Sequence, residues 1–311
     1  MEKVTYGGWP NCIKLSNGKI ELIATTDVGP RVIRFGFAGG ENELHEDPSQ
    51  LGKTGGSDWM AYGGHRLWHA PEAKPRTYWP DNTPVRYEMA GDMLRLIQDV
   101  ETENGMQKEI DIRMDSNKNH VEVIHKITNC SLWPVEMAPW ALTVMNKGGK
   151  AVFPQEPYSP HPDIPDYPGQ VIDKKYYLPA RNLIMWSYTN LADPRWLFTS
   201  KYIILKQDPN ATRPQKIGMS NHRNWGAYAR NGHLFVKKVE FQAGAVYPDN
   251  GCNFETFTNA DMLELESLGP MTELNPGATV THKEDWYLFD NVEFEDTDES
   301  IDANVLPKVG G

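Results

Sequence analysis

The chain has 311 residues, 39% of them hydrophobic, and a formal net charge of -11 at pH 7. This acidic balance disfavours a nucleic-acid partner, because phosphate binding requires clustered Lys and Arg. The length would accommodate two average domains, but large antiparallel β structures often reach it as one, which is the prediction here. Ten tryptophans predict several buried or pocket-lining indoles.

The cysteines and the N-terminal segment bear on the compartment. Cys12, Cys130 and Cys252 are widely spaced without a Cys-x-x-Cys pair, which favours reduced thiols over disulfides or a zinc site. The first residues lack the apolar core of a signal peptide, and no stretch approaches the ~18 to 20 apolar residues that span a bilayer. We therefore expect a cytoplasmic protein that has no membrane partner.

The hydrophobic pattern alternates with a period of two, which predicts strands. The first hairpin joins 12–15 to 20–25 through Asn17-Gly18, a pair that favours a type I′ turn. Further extended runs are predicted at 31–37, 85–89, 93–100, 107–114, 120–128, 135–144, 151–153, 202–205, 233–241, 253–258, 262–268 and 279–289. In the run at 120–128, alternation places His125 on an apolar face, as expected for a core histidine without a functional role.

Pro and Gly punctuate these runs, most densely from Pro154 to Pro168, and leave little room for helix. We predict an all-β protein, a large antiparallel β-sandwich with long loops and little helix. The single sandwich domain should span residues 1–290. Seven acidic residues and no basic one lie between Asp290 and Asp302, so residues 291–311 are predicted to form a solvated acidic tail.

Residues 63–72 follow a Gly-Gly pair and concentrate functional side chains. They include His65, Arg66, Trp68, His69 and Glu72. This mixture predicts a polar, aromatic-walled site for a small, hydroxyl-rich ligand. Arg66 is the leading candidate within the segment, because its fork of donors can hold two vicinal hydroxyls or a carboxylate.

The spacing of His65 and His69 also resembles a helical pair of metal ligands. However, Pro71 and the preceding Gly pair predict a loop, and Arg66 occupies the place of the metalloprotease glutamate. We expect no metal. The sequence also lacks a phosphate-binding Gly-rich loop, a nucleophile elbow and a dinucleotide fingerprint, so no cofactor is expected.

Two further segments carry candidate residues. Glu264 and Glu266 lie inside the run 262–268, which otherwise has the pattern of a strand. His222, Arg223 and Trp225 form a polar and aromatic turn. The indole of this turn suits the apolar face of a pyranose ring, and its polar groups suit the hydroxyls. A solvent-exposed hairpin turn explains the same residues equally well.

Several short motifs resemble the galactose mutarotase-like superfamily. They are Val28-Gly29-Pro30-Arg31-Val32-Ile33, the Gly-Gly-x-x-x-Trp core at Gly63, Leu265-Glu266-Ser267, Leu274-Asn275-Pro276-Gly277 and Trp286-Tyr287-Leu288. The resemblance covers about residues 20–290 and is greatest to a bacterial branch distinct from the established aldose 1-epimerases. It implies a β-supersandwich that binds a sugar on its concave face.

In those epimerases, a carboxylate late in the chain removes the anomeric hydroxyl proton while a histidine protonates the ring oxygen. The resemblance assigns the carboxylate to Glu266, with Glu264 as the nearby alternative. The stretch that matches the epimerase histidine, residues 139–146, contains Trp140 as a substrate contact but no imidazole. His161, His65 or His69 is expected to supply the acid instead.

The resulting prediction is a carbohydrate-active protein, an aldose 1-epimerase-like enzyme with a carboxylate base. One alternative is a non-catalytic sugar-binding protein. Another is a polysaccharide lyase or glycoside-processing enzyme on the same face, in which Arg66 neutralises a uronic acid and His65, His69 or a tyrosine acts as base. The sequence does not indicate an oligomeric state.

Overall fold

The computed structural model of this protein describes residues 1–156 and 178–310. The predicted all-β class is confirmed, with 47% of residues in strands and 5% in helices. None of the helices formed by the described residues has the length and apolar character of a membrane span.

The strands, in chain order, are β1 (Glu2–Tyr6), β2 (Trp9–Ser16), β3 (Ile20–Thr25), β4 (Arg31–Phe37), β5 (His65–Ala70), β6 (Arg86–Ala90), β7 (Met93–Ile97), β8 (Met106–Met114), β9 (His120–Asn129), β10 (Val135–Asn146), β11 (Lys150–Pro154), β12 (Leu183–Met185), β13 (Trp196–Phe198), β14 (Tyr202–Lys206), β15 (Gln215–Met219), β16 (Trp225–Arg230), β17 (His233–Lys238), β18 (Phe254–Thr258), β19 (Met262–Leu268), β20 (Thr272–Leu274) and β21 (Thr279–Phe289). The short helices are α1 (Pro248–Gly251), α2 (Asp298–Asn304) and α3 (Leu306–Val309).

These strands form two antiparallel sheets. The first has the order β1-β2-β3-β4-β5-β10-β19-β18-β15-β12, with β20 paired to β10, and the second has the order β13-β14-β11-β16-β17-β21-β9-β8-β7-β6. The main core lies between them. At its centre, Phe35 of the first sheet contacts Phe235 and Trp286 of the second edge to face, with ring centroids 5.9 and 5.6 Å apart. This face-to-face packing defines a β-sandwich.

The hairpin predicted around Asn17-Gly18 is present between β2 and β3. The predicted type I′ turn is absent from this hairpin. That turn type requires positive φ at both central residues, but only Gly18, with φ +83, has one; Asn17 does not. The Asn17 side chain instead accepts hydrogen bonds from the backbone of Lys19 and Ile20. These side-chain hydrogen bonds stabilise the turn without a left-handed backbone conformation at Asn17.

The Gly63-Gly64 pair is closely packed. Gly63 and Gly64 have φ +98 and +71, and a Cβ on them would lie 2.1 Å from the carbonyl oxygen of His45 and 2.2 Å from that of Val32. The two glycines therefore allow the chain entering β5 to approach the neighbouring backbone, an approach that no other residue type permits.

We expect Gly63→Ala to destabilise the fold more than Gly56→Ala, in urea unfolding of both variants. Gly56 has a similar φ of +88 with open space around it, so its substitution costs only the ~1 to 3 kcal/mol of a strained backbone. Gly63→Ala adds the overlap with His45. Equal losses for the two variants would contradict the close packing.

The C-terminal segment corrects the expectation of a solvated tail. Its apolar residues Val292, Ile301, Val305 and Val309 are buried against the outer side of the second sheet. Asp296 lies 2.6 Å from both Lys150 and Lys206. Asp296 therefore holds the segment on basic side chains of the sandwich, while the four buried apolar residues pack it against the sheet.

Candidate functional site

The middle strands of the first sheet bring distant candidate residues together. In the register of β10 with β5 and β19, Leu142 lies opposite both Arg66 and Glu266. Side chains directly opposite one another project from the same face of a sheet. Arg66 and Glu266 therefore share the face turned away from the core. We call this surface the Glu266 face; it comprises Arg66, Trp68, Trp140, Lys216, Glu255, Glu264 and Glu266.

The centre of the Glu266 face is a lysine between two carboxylates. Lys216 Nζ lies 2.7 Å from Glu255 Oε2 and 3.3 Å from Glu266 Oε2. Trp140 Nε1 donates a hydrogen bond of 2.8 Å to Glu266 Oε2. The ammonium also lies over the rings of Trp140 and Trp186, 4.8 and 4.6 Å from their centroids. Cation–π contact and charge pairing thus hold Lys216 in place.

Burial sets the ionisation of this cluster. Burial raises the pKa of Glu266 to about 7, against the attraction of Lys216. Burial likewise raises the pKa of Glu255 well above its ordinary range. For Lys216, burial opposes the charge, but Glu266 and Glu255 outweigh it and raise the pKa of the ammonium. Near neutral pH the lysine is charged and Glu266 is poised to exchange a proton.

Arg66 occupies a second position on this face. One guanidinium nitrogen, Nη2, lies 3.2 Å from Glu264 Oε1. The guanidinium also lies over the rings of Trp68 and Trp59, 4.7 and 5.5 Å from their centroids. Its Nε is buried and has no hydrogen-bond partner among the described residues. An aromatic cage with an unused donor is suited to a ligand that accepts hydrogen bonds.

An aromatic layer continues toward the surface. Tyr78 packs against Trp59 and Trp68, with ring centroids 5.3 and 4.9 Å away, and donates its hydroxyl to Glu72. Glu72 and Tyr188 are exposed. Burial raises the pKa of Tyr188 to about 12, and the charges of Lys216 and Glu266 act on the same hydroxyl. Glu72, Tyr78 and Tyr188 therefore form the rim of the Glu266 face.

His65 and His69 correct the sequence-based prediction. Because side chains alternate along β5, His65 and His69 point to the core side of the sheet, whereas Arg66 and Trp68 point to the other side. Both histidines are buried there. Burial lowers the pKa of His69 to about 3 and that of His65 well below its ordinary value. The position predicted for them beside Glu266 is wrong, because the sheet itself separates their rings from that carboxylate.

His65 belongs to a polar network between the sheets. His125 Nδ1 donates to the carbonyl of His282, so neutral His125 accepts at Nε2 from His65 Nε2, 2.6 Å away. His65 Nδ1 then accepts from the Thr143 hydroxyl at 2.8 Å. This tautomer assignment satisfies every ring nitrogen of His65 and His125 without a charge. The core role predicted for His125 is confirmed.

Glu284 anchors the same network. It lies 2.8 Å from Lys237 Nζ and accepts hydrogen bonds from Trp286 Nε1 and the Ser267 hydroxyl, at 2.7 and 2.5 Å. Burial opposes its charge, but Lys237 and the neighbouring His65, His125 and His282 together outweigh burial and lower the pKa of Glu284. Ligand atoms of His65, His125 and Glu284 lie within 4.8 Å of one another. Since Lys237 already neutralises Glu284, the group is best explained as a satisfied core network.

The turn at 221–225 lies apart from the Glu266 face. Trp225 packs in the cluster beneath the C-terminal segment, on the second sheet. His222 stacks on Phe241 with centroids 4.2 Å apart and lies 3.8 Å from Glu156. Arg223 borders a surface cavity with Trp225 and Val309. None of the contacts of His222, Arg223 and Trp225 given above involves Glu266, so their substrate-binding roles stay predictions. His161 lies outside the described residues.

Sequence reasoning missed Lys216 and Glu255. Glu255 lies in a strand that was predicted at 253–258, where a lone carboxylate between Phe254 and Thr256 carries the same signal that singled out Glu266. The short strand around Lys216 was not predicted. Its relation to Glu266 depends on a pairing of three strands, which no local pattern reveals.

The sandwich and its polar face define the class of fold: the chain has the galactose mutarotase-like fold. It is similar to a candidate aldose 1-epimerase from Klebsiella pneumoniae at 12% identity, covering 93% of this chain and 83% of that chain with a TM-score of 0.60. A galactose mutarotase-like protein from Lactobacillus casei matches at 11% identity, 90% and 100% coverage and a TM-score of 0.57. A candidate mutarotase from Salmonella typhimurium matches at 10% identity, covering 90% of each chain with a TM-score of 0.55.

No family model and no curated protein matches the sequence. The likeness to these structures, at such low identity, is a likeness of fold.

Proposed function

We propose that this protein binds a sugar on the Glu266 face and interconverts its anomers, with Glu266 as the general base. The observation that carries the proposal is the state of Glu266. It is fully buried, its Oε2 is held by Trp140 and Lys216, and its Oε1 has no partner among the described residues. A held carboxylate with one free oxygen and a pKa near neutrality is suited to remove a hydroxyl proton.

The surrounding side chains suit a carbohydrate. Trp68, Trp140 and Trp59 offer indole faces for the apolar face of a sugar ring, while Arg66 Nε offers a donor to a hydroxyl. The structural neighbours that are described as mutarotases or aldose 1-epimerases support the same class of ligand.

Entry of a ring requires a rearrangement of the aromatic cover. Glu266 is fully buried, and the Trp186 ring lies over its partner Lys216. Trp186 directly follows β12, a three-residue strand at the edge of the first sheet. Edge elements with few partners open at the lowest free-energy cost, so Trp186 and Tyr188 are the side chains that a ligand would displace.

A non-catalytic sugar-binding protein is the second candidate. It is favoured by the histidines: outside residues 157–177, none is hydrogen-bonded or ion-paired to the residues of the Glu266 face. The lyase alternative loses His65 and His69 as bases, because both lie on the core side.

Polarimetry on freshly dissolved α-aldoses tests the proposal, with calorimetric binding measured on the same sugars. We expect the wild-type protein to accelerate mutarotation of at least one aldose in a broad panel that includes glucose and galactose. Binding without acceleration would replace the epimerase by the binding protein, and neither binding nor acceleration would remove both.

A further inference from the structure

An anomer exchange needs a second group, which protonates the ring oxygen as the base takes the hydroxyl proton. On the described part of the Glu266 face and its rim, the proton carriers besides Glu266 are Lys216, Tyr78, Tyr188, Glu72, Glu264 and Glu255. Glu264 is paired with Arg66 at 3.2 Å, and Glu72 lies at the exposed rim, where it accepts the hydroxyl of Tyr78. The carboxyl groups of Glu255 and Glu266 stabilise the charged form of Lys216, so it does not readily give up a proton. Tyr78 already donates its hydroxyl to Glu72. Burial raises the pKa of Tyr188 to about 12, far from a value that releases a proton at neutral pH.

Glu255 is placed differently. In the β18–β19 register it lies directly opposite Glu266, so the two carboxyl groups project side by side from one face. Both contact the same Lys216 Nζ, at 2.7 and 3.3 Å, so their nearest oxygens lie no farther apart than the sum of these distances. Neither oxygen of Glu255 has a hydrogen bond of normal geometry from a described residue, although the charge of Lys216 is close.

The charges of the cluster favour one shared proton. Two carboxylates and one ammonium, all buried, would leave an unbalanced negative charge, and binding a single proton removes it. The other titratable groups facing Glu255 are Cys252 and Asp249 at the α1 turn. Burial raises the pKa of the Cys252 thiol, which keeps it neutral, and Asp249 adds negative charge that favours protonation of Glu255.

We infer that Glu255 carries this proton and is the general acid that works with Glu266, in the place that a histidine fills in the established epimerases. This inference rests on the proposed function. It assigns acid and base to one pair of facing carboxyl groups on neighbouring strands, with Lys216 as the fixed cation between them.

The proton balance closes. The Glu266 carboxylate takes the proton of the anomeric hydroxyl, and the Glu255 carboxylic acid gives its proton to the ring oxygen. The bond between the anomeric carbon and the ring oxygen breaks, its electron pair staying on that oxygen, while the anomeric C–O bond becomes a carbonyl. After rotation of the open aldehyde, the reverse transfers close the ring on the other face and restore both groups.

The test compares Glu255→Gln, Glu255→Asp and the exposed-residue control Glu273→Gln by polarimetry, on an aldose that the wild type converts. We expect Glu255→Gln to lower kcat by ~10²- to 10⁴-fold, because an amide cannot give up a proton. Glu255→Asp keeps an acid and should retain part of the rate. Wild-type kcat should fall at alkaline pH as Glu255 ionises, and the residual rate of Glu255→Gln should lack this fall.

Infrared spectroscopy gives a readout that does not need turnover. We expect the wild type above the pKa of about 7 of Glu266, where that carboxyl group is mostly ionised, to show the carbonyl stretch of a protonated carboxylic acid, and Glu255→Gln to lose it while Glu273→Gln keeps it. Absence of the band in wild type would overturn the inference. A Glu255→Gln rate within about threefold of wild type would overturn it too and leave Glu266 as base. No conversion of any aldose by wild type would remove the proposed function and, with it, the acid role.

Discussion

Replacing Glu266 by Gln is expected to lower the rate of mutarotation by ~10²- to 10⁴-fold while sugar affinity stays nearly unchanged. The amide is isosteric with the carboxylate and can still accept the Trp140 hydrogen bond, whereas it cannot take a proton. Glu255 lies 2.7 Å from Lys216 and can release its proton in this variant to pair with the ammonium, so no buried charge need stay unpaired. Polarimetry for kcat and calorimetry for affinity, on one aldose, separate the two effects.

The pH dependence provides a second check on Glu266. A general base acts in its ionised form, and burial raises the pKa of Glu266 to about 7, so the wild-type rate should rise with pH through that value. Glu273 is an exposed carboxylate on β20, so Glu273→Gln serves as the matched control and should behave as wild type. A Glu266→Gln variant with an unchanged rate would show that another group is the base.

Glu284→Gln is expected to lower the free energy of unfolding by about 3 to 5 kcal/mol, because it leaves the Lys237 ammonium buried without its counter-charge. Glu88→Gln is the matched control: Glu88 pairs with Arg95 at the surface, where an ion pair contributes about 0 to 1 kcal/mol. Urea unfolding of both variants beside wild type measures the difference.

The destabilisation by Glu284→Gln should depend on pH in a defined direction. Lys237 lowers the pKa of Glu284 in the fold, so its contribution to stability is present above the ordinary pKa of a glutamate, 4.5, and is lost as pH falls toward the lowered value. The gap between variant and wild type should therefore narrow in strong acid. The double variant Glu284→Gln, Lys237→Met should recover part of the loss; equal stability of the single and double variants would contradict the pairing.

The period-two pattern was sufficient to predict the all-β class and most strands, because a strand with one buried face has alternating apolar and polar residues in its sequence. The same rule explains the error at His65 and His69. The Gly pair and Pro71 favoured a loop there, yet they mark the two ends of β5. Within that strand, alternation alone separates the histidines from Arg66 and Trp68.

The chemistry at the centre of the Glu266 face could be predicted only in part. Glu266 was identified by resemblance and by its place in a strand. Lys216 reaches it across the pairings of β15 with β18 and of β18 with β19, which are set by long-range packing. The Glu284 network is likewise hidden, because a buried charge is stable only beside partners that come from several strands.

The position of β21 has a consequence for how the chain folds. It lies between β17 and β9 in the second sheet, although β10 to β20 separate it from β9 in the sequence. Until β21 arrives, β9 presents an unpaired edge that can pair with another chain. Such late, distant pairing slows folding and lengthens the time at risk of aggregation. Slow synthesis at low temperature and a low concentration during refolding should therefore raise the yield of folded protein.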